Sequence, residues 1–149
     1  MQTISRRQAL IIIGSLTGSV AIPSFSFGKT GLLKKRIDDI IKGANASESN
    51  IMLDVPEIAE NGNQVKVNFE IDSPMSKENY IKQVYILADG NPAPDVAKFS
   101  FTPEMGACSA TTRMRLSKTQ NVYLIAESNT GKFSMTRSKV KVTIGGCGG

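Results

Sequence analysis

Val65-Lys66-Val67-Asn68-Phe69-Glu70-Ile71 alternates apolar and polar side chains without a break. Successive side chains of an extended chain point to opposite faces, so Val65, Val67, Phe69 and Ile71 share one face while Lys66, Asn68 and Glu70 share the other. This is the pattern of a strand with one side in a core and one in water. The period of two sets in at residue 51, and comparable short runs follow at residues 83–88, 96–101, 107–116, 121–128 and 133–144. Between them lie the turn-forming stretches Glu60-Asn61-Gly62-Asn63, Asp89-Gly90-Asn91-Pro92 and Asn129-Thr130-Gly131. Six or seven short strands at this spacing predict a mainly β fold, an immunoglobulin-like antiparallel β-sandwich.

Upstream of the strands the period is helical. Leu32, Leu33, Ile37, Ile40 and Ile41 recur at three- and four-residue steps, with Lys34, Lys35, Asp38 and Asp39 around the other side. An N-terminal amphipathic helix is expected, capped by Thr30 and ended by Gly43, lying over an end or face of the main domain. The polar run from Asn45 to Asn50 reads as the loop leading away from it. Helical signal confined to the start of the chain argues against an alternating α/β fold.

The first residues read as an address. Arg6-Arg7 precede an uncharged, mostly apolar run from Ala9 to Ile22, too short to span a bilayer comfortably, and Ser26 and Gly28 supply small residues ahead of a cleavage point before Lys29. Paired arginines before a moderately apolar segment point to twin-arginine export and a periplasmic location. Removing residues 1–28 takes two of the 18 basic residues and none of the 13 acidic ones, which lowers the formal charge from +5 to +3. A surplus this small, with no dense basic stripe, does not predict nucleic-acid binding. The chain holds no histidine, so the usual general base at neutral pH and the commonest transition-metal ligand are both missing. Most hydrolase and metalloenzyme readings weaken accordingly. The expected organisation is a signal at 1–28, a helix-plus-sandwich domain at 29–144 and a carrier arm at 145–149, with no membrane attachment once the signal is removed.

Chemistry concentrates at the C-terminus, where the last strand runs into Gly145-Gly146-Cys147-Gly148-Gly149. Four glycines leave the backbone lightly constrained, and five extended residues reach about 17 Å. A thiol on such an arm suits reversible attachment of a cargo that is carried into other proteins' clefts. It suits catalysis in place poorly, since a nucleophile must be held beside a base and an oxyanion site. Lys139 and Lys141 could favour thiolate and attract anions, or simply form the solvated face of a strand. Cys108 is open to several roles: a disulfide with Cys147, a buried small hydrophobe, a partly exposed thiol, or a second thiol in a redox pair, although the two cysteines lack the close spacing of a redox motif. The dispersed methionines 52, 75, 105, 114 and 135 read as core or loop fillers, and Arg113 and Arg115 as solvent-facing or partner-facing residues of one strand. An alternative to carriage is a periplasmic binding module whose tail merely ends the chain.

Five stretches give the sequence a resemblance to the SoxY family of sulfur-carrier proteins of the periplasmic sulfur-oxidation (Sox) system. They are the twin-arginine start, residues 55–62 (Val-Pro-Glu-Ile-Ala-Glu-Asn-Gly), residues 89–94 (Asp-Gly-Asn-Pro-Ala-Pro), residues 111–120, and residues 140–149 ending in Gly-Gly-Cys-Gly-Gly. The resemblance implies a non-enzymatic carrier without a cofactor of its own. Cys147 would hold thiosulfate-derived intermediates covalently, on the arm formed by Gly145, Gly146, Gly148 and Gly149. It also implies a heterodimer with SoxZ, loading by the haem protein SoxAX, release of sulfate by the metal hydrolase SoxB and, where present, oxidation of the remaining sulfane sulfur by SoxCD. Cys108 departs from the family pattern, in which the tail cysteine usually stands alone.

Overall fold

The computed structural model describes residues 30–146. The expected export signal, and Cys147, Gly148 and Gly149, lie outside the described residues. The chain begins with helix α1 (Thr30–Ile41) and continues through β1 (Ala46–Ser47), β2 (Ile51–Asp54), β3 (Ile58–Asn61), β4 (Val65–Ile71), β5 (Ile81–Ala88), β6 (Asp95–Ser100), a 3-10 turn (Pro103–Met105), β7 (Cys108–Met114), β8 (Gln120–Ser128) and β9 (Phe133–Ile144). The larger sheet runs β1-β9-β8-β5-β6, with β3 also on β9, and the smaller runs β2-β4-β7. The expected immunoglobulin-like sandwich is thus the observed fold.

β4 occupies the span its alternation predicts. Val65, Val67, Phe69 and Ile71 are buried, Lys66 and Glu70 are exposed, and the strand is flanked by β2 and β7 in antiparallel register. Facing it across the sandwich, β5, β8 and β9 contribute Val84, Ile86, Ala88, Val122, Leu124, Ala126 and Val140 to one continuous core. Phe69 meets Phe99 and Phe101 edge-on at centroid distances of 5.3 and 6.2 Å, within the range such ring pairs favour.

The alternation is lost in the middle of β5, where Val84, Tyr85, Ile86, Leu87 and Ala88 are all buried. The cause is α1, which lies on the outer face of the larger sheet as the amphipathic pattern predicts. Leu33 and Ile40 pack on Tyr85, Leu87, Ile125 and Phe133 in a second apolar cluster, so the central strands are covered on both sides. Arg36 anchors the helix to Asp95 by an ion pair of 2.8 Å. Gly43 follows the helix with φ of 77°, the left-handed conformation that ends helices and that glycine adopts without strain. Thr30 is the first helical residue rather than the cap ahead of it.

β1 and β3 differ from expectation in detail. β1 falls in the polar run read as a loop, and β3 takes in Glu60 and Asn61, read as a turn. Both pair with β9 in parallel, Ala46 opposite Phe133 and Ile58 opposite Lys141, so the sandwich is not purely antiparallel. The 12-residue β9 therefore takes β1 at its start and β3 at its end.

Candidate functional site

The base of the tail is held by backbone. β3 lies alongside the last residues of β9, and Lys141 donates its N–H to the Glu57 carbonyl at 2.8 Å. Gly62 then donates to the Ile144 carbonyl at 2.7 Å and accepts from the Leu116 N–H at 2.8 Å, while Gly146 donates to the Leu116 carbonyl at 2.8 Å. Thr119 braces the same edge through its hydroxyl oxygen, which accepts from the Val142 N–H at 3.0 Å.

Close approach explains the glycines here. A Cβ on Gly62 would fall within 3.0 Å of the Leu116 carbonyl oxygen, one on Gly145 within 3.0 Å of the Ser117 carbonyl oxygen, and one on Gly146 within 3.0 Å of the Gly62 carbonyl and the Asn63 nitrogen. Real Cβ atoms essentially never come that close to backbone. Sequence reasoning credited Gly145 and Gly146 with freedom; the structure places both against neighbouring backbone, and the bonded segment extends to Gly146.

The loop that supplies Leu116 and Ser117 is itself fixed. Asn91 donates its side-chain amide to the Arg115 carbonyl at 2.8 Å, and its Oδ1 accepts from the Ser117 N–H at 3.0 Å and from Gln120 Nε2 at 2.9 Å. Buried Gln120 also accepts from the Gly90 N–H at 2.6 Å and donates to the Lys118 carbonyl at 3.0 Å. Ser117 donates its hydroxyl to the Gly90 carbonyl at 2.8 Å, and Asp89 receives the backbone and side-chain N–H of Asn121 at 2.9 and 2.7 Å. Residues 55–62, 89–94, 111–120 and 140–146, distant in sequence, thus meet at one end of the sandwich. Sequence reasoning singled out these stretches but did not bring them together. Gly62 and Asn91 read in the sequence as turn residues only, and Leu116 and Gln120 carry no signal of a role there.

The other candidates lie elsewhere. Cys108 is 2% exposed at the start of β7, opposite Ile71, and burial pushes its thiol up to about 12. It is the buried hydrophobe among the roles considered. The six steps from Cys108 to Met114 along β7 span about 20 Å at roughly 3.4 Å each, which puts Cys108 at the far end of that strand from the Leu116 loop. Among the described residues Cys108 is a free thiol.

Lys139 and Lys141 are exposed on the outer face of β9 and belong to neither of the two ion pairs among the described residues, Arg36–Asp95 and Lys82–Glu127. Arg113 is exposed and bonds Gln64 at 3.0 Å, whereas Arg115 lies past the end of β7. Met75 and Met114 fill the core, while Met52 and Met105 are exposed. Among the described residues, no group of three histidine, cysteine, aspartate or glutamate side chains could hold a metal ion. No helix among them is long and apolar enough to cross a membrane. A cavity of about 340 Å³ with mixed polar and apolar walls, bordered by Asn50, Asp72, Ile81, Lys132 and Phe133, opens beside the start of β9, away from the tail.

Fold and site together define an immunoglobulin-like sandwich that presents its C-terminal segment from one laced end. The sequence profile described as "Sulfur oxidation protein SoxY" matches residues 37–147, and this chain belongs to that family. The structure of the sulfur carrier protein SoxY from Chlorobium limicola f thiosulfatophilum is similar at 30% identity, covering 77% of this chain and 99% of that one, with a TM-score of 0.62. A superoxide reductase (neelaredoxin) from Ignicoccus hospitalis superimposes with a TM-score of 0.57 at 19% identity, over 70% of this chain and 91% of that one. The hypothetical protein PH1083 from Pyrococcus horikoshii OT3 gives 0.55 at 13% identity, over 68% and 99%. At these lower identities the likeness is one of fold alone. A comparison with curated protein sequences gave no match.

Proposed function

We propose that this chain is a non-enzymatic carrier that holds sulfur intermediates covalently on Cys147 while separate enzymes process them. The observation that carries the reading is the laced end of the sandwich in a SoxY family member. It brings the chain out at Gly146, and the next residue is the thiol. Loading thiosulfate makes a sulfur–sulfur bond between Cys147 Sγ and the sulfane sulfur, releasing the thiol proton and two electrons to an external oxidant. The SoxAX haem protein fits that need. Hydrolysis by SoxB consumes one water, releases sulfate and two protons, and leaves a persulfide anion on Cys147, which SoxCD would oxidise where present. Every bond made or broken lies on the cargo or on Sγ, so the sandwich needs neither a base nor a metal of its own.

Twin-arginine export of the folded chain to the periplasm, with residues 1–28 as the signal and SoxZ as the heterodimer partner, completes the reading. The paired Arg6-Arg7 and the family membership support it.

The test is mass spectrometry of the tryptic peptide of residues 142–149 from thiosulfate-grown cells. Sulfur or thiosulfonate adducts that reductant removes are expected, and a peptide that is always unmodified overturns the proposal. Cys147→Ser should abolish growth on thiosulfate. Full growth would instead favour a binding module with an inert tail.

A further inference from the structure

Gly62 is the hub of the tail base. Its N–H is bonded to the Ile144 carbonyl, its carbonyl to the Leu116 N–H, and the next link runs from the Leu116 carbonyl to the Gly146 N–H. None of Gly62, Gly145 and Gly146 has the positive φ that would call for glycine on conformational grounds. All three lack room for a Cβ, and what stands in the way is backbone. That backbone cannot yield easily, since Asn91 fixes both the Arg115 carbonyl and the Ser117 N–H. An arm needing only looseness would tolerate alanine at 145 and 146; this one would not.

We propose that Gly62 and the Leu116-Ser117 backbone form a seat for Gly145 and Gly146, with Gly62 as the positioning residue that fixes where the carrier cysteine leaves the sandwich. The purpose of the seat rests on the carrier reading, but its existence does not. Beyond a seated Gly146, one Cα–Cα step of about 3.8 Å plus a cysteine side chain limits the reach of a thiol to about 7 Å. Unseating Gly145 and Gly146 adds two extended residues, about 7 Å of reach. The single hydrogen bond from Gly146 to Leu116 therefore separates a short tether, for an enzyme that meets the sandwich end closely, from a long one for a deep channel.

Amide hydrogen exchange on the ¹⁵N-labelled mature chain tests the seat directly. In the wild type the Gly146 amide should exchange at least about fivefold more slowly than in an unstructured peptide, the protection expected of one net hydrogen bond. Gly62→Ala should remove that protection and leave the Val140 amide, in the core part of β9, unchanged. Should Gly62→Ala fail to fold, Gly146→Ala, which lies beyond the last core residue, should lose protection at residue 146 in the same way. An unprotected Gly146 amide in the wild type, or protection that persists in a folded variant, overturns the proposal. Adduct loading on Cys147, measured separately by mass, distinguishes failure of the seat from failure of the carrier reading.

Discussion

Gly146 donates its N–H to the Leu116 carbonyl at 2.8 Å, and the side chain of Leu116 is wholly buried between the two sheets. One residue therefore touches the core through its side chain and the tail through its backbone. The position at which the tail leaves the domain is tied to the packing of the sandwich.

Leu116→Ala should uncouple the two. Truncating a fully buried leucine costs about 2–5 kcal/mol, depending on how far the site collapses. A urea titration should show the midpoint falling with little change in slope. A midpoint within experimental error of the wild type would mean that the Leu116 side chain is not part of the core.

Gln120 offers a test of the loop cluster. It is 4% exposed, and its side chain bonds the Gly90 N–H, Asn91 Oδ1 and the Lys118 carbonyl. Gln120→Ala leaves the Gly90 N–H without its acceptor, and an orphaned buried group costs about 1–3 kcal/mol. Besides this loss in denaturant titration, amide exchange should quicken at Gly90 and Ser117 but not at Val67, which sits in the opposite sheet. Uniformly faster exchange would indicate global destabilisation rather than release of these loops.

Much of this fold can be read from the chain, for physical reasons that also mark where reading stops. Val65 to Ile71 alternates because one face of β4 meets water and the other meets Val84, Val122 and Val140. The apolar stripe of α1 is equally legible. β5 and β8 can be placed from their apolar content, yet only α1 above them explains why Tyr85, Leu87 and Ile125 are buried. β1 and β3 carry no local period because they have two and four residues and owe their extended form to pairing with β9, far along the chain. Cys147 announces its chemistry by composition alone. The seat beneath it does not, because the closeness of Gly62, Leu116 and Gly146 is a tertiary property and Gly62 alone reads as a turn residue.

The docking of α1 should depend on Leu33 far more than on Arg36. Leu33 is 4% exposed in the outer cluster, so Leu33→Ala should cost about 2–5 kcal/mol. The Arg36–Asp95 pair has side chains 35% and 54% exposed, and exposed pairs contribute about 0–1 kcal/mol. Thermal melts of Leu33→Ala and Arg36→Ala should differ accordingly. Equal shifts would show that the ion pair, not the apolar face, holds the helix.

Cys108 makes the last prediction a matter of sign. Its thiol is raised to about 12 in the fold by burial, against about 8.5 for a free thiol. Below pH 8.5 it is protonated in both the folded and unfolded chains and adds no pH dependence. Between about 8.5 and 12 the unfolded chain gives up the proton while the folded chain keeps it, so stability falls as pH rises, by up to about 1.4 kcal/mol per unit. Denaturant titrations at pH 8 and pH 10 should show this alkaline loss in the wild type, and a smaller one in Cys108→Ala once that variant's own cavity cost, the same at both pH values, is subtracted. The same burial predicts thiol counts. At pH 8 a disulfide reagent should label one cysteine in the folded reduced chain, Cys147, and two after unfolding. Rapid labelling of Cys108 in the folded chain, or an alkaline loss identical in wild type and Cys108→Ala, would place that thiol outside the core.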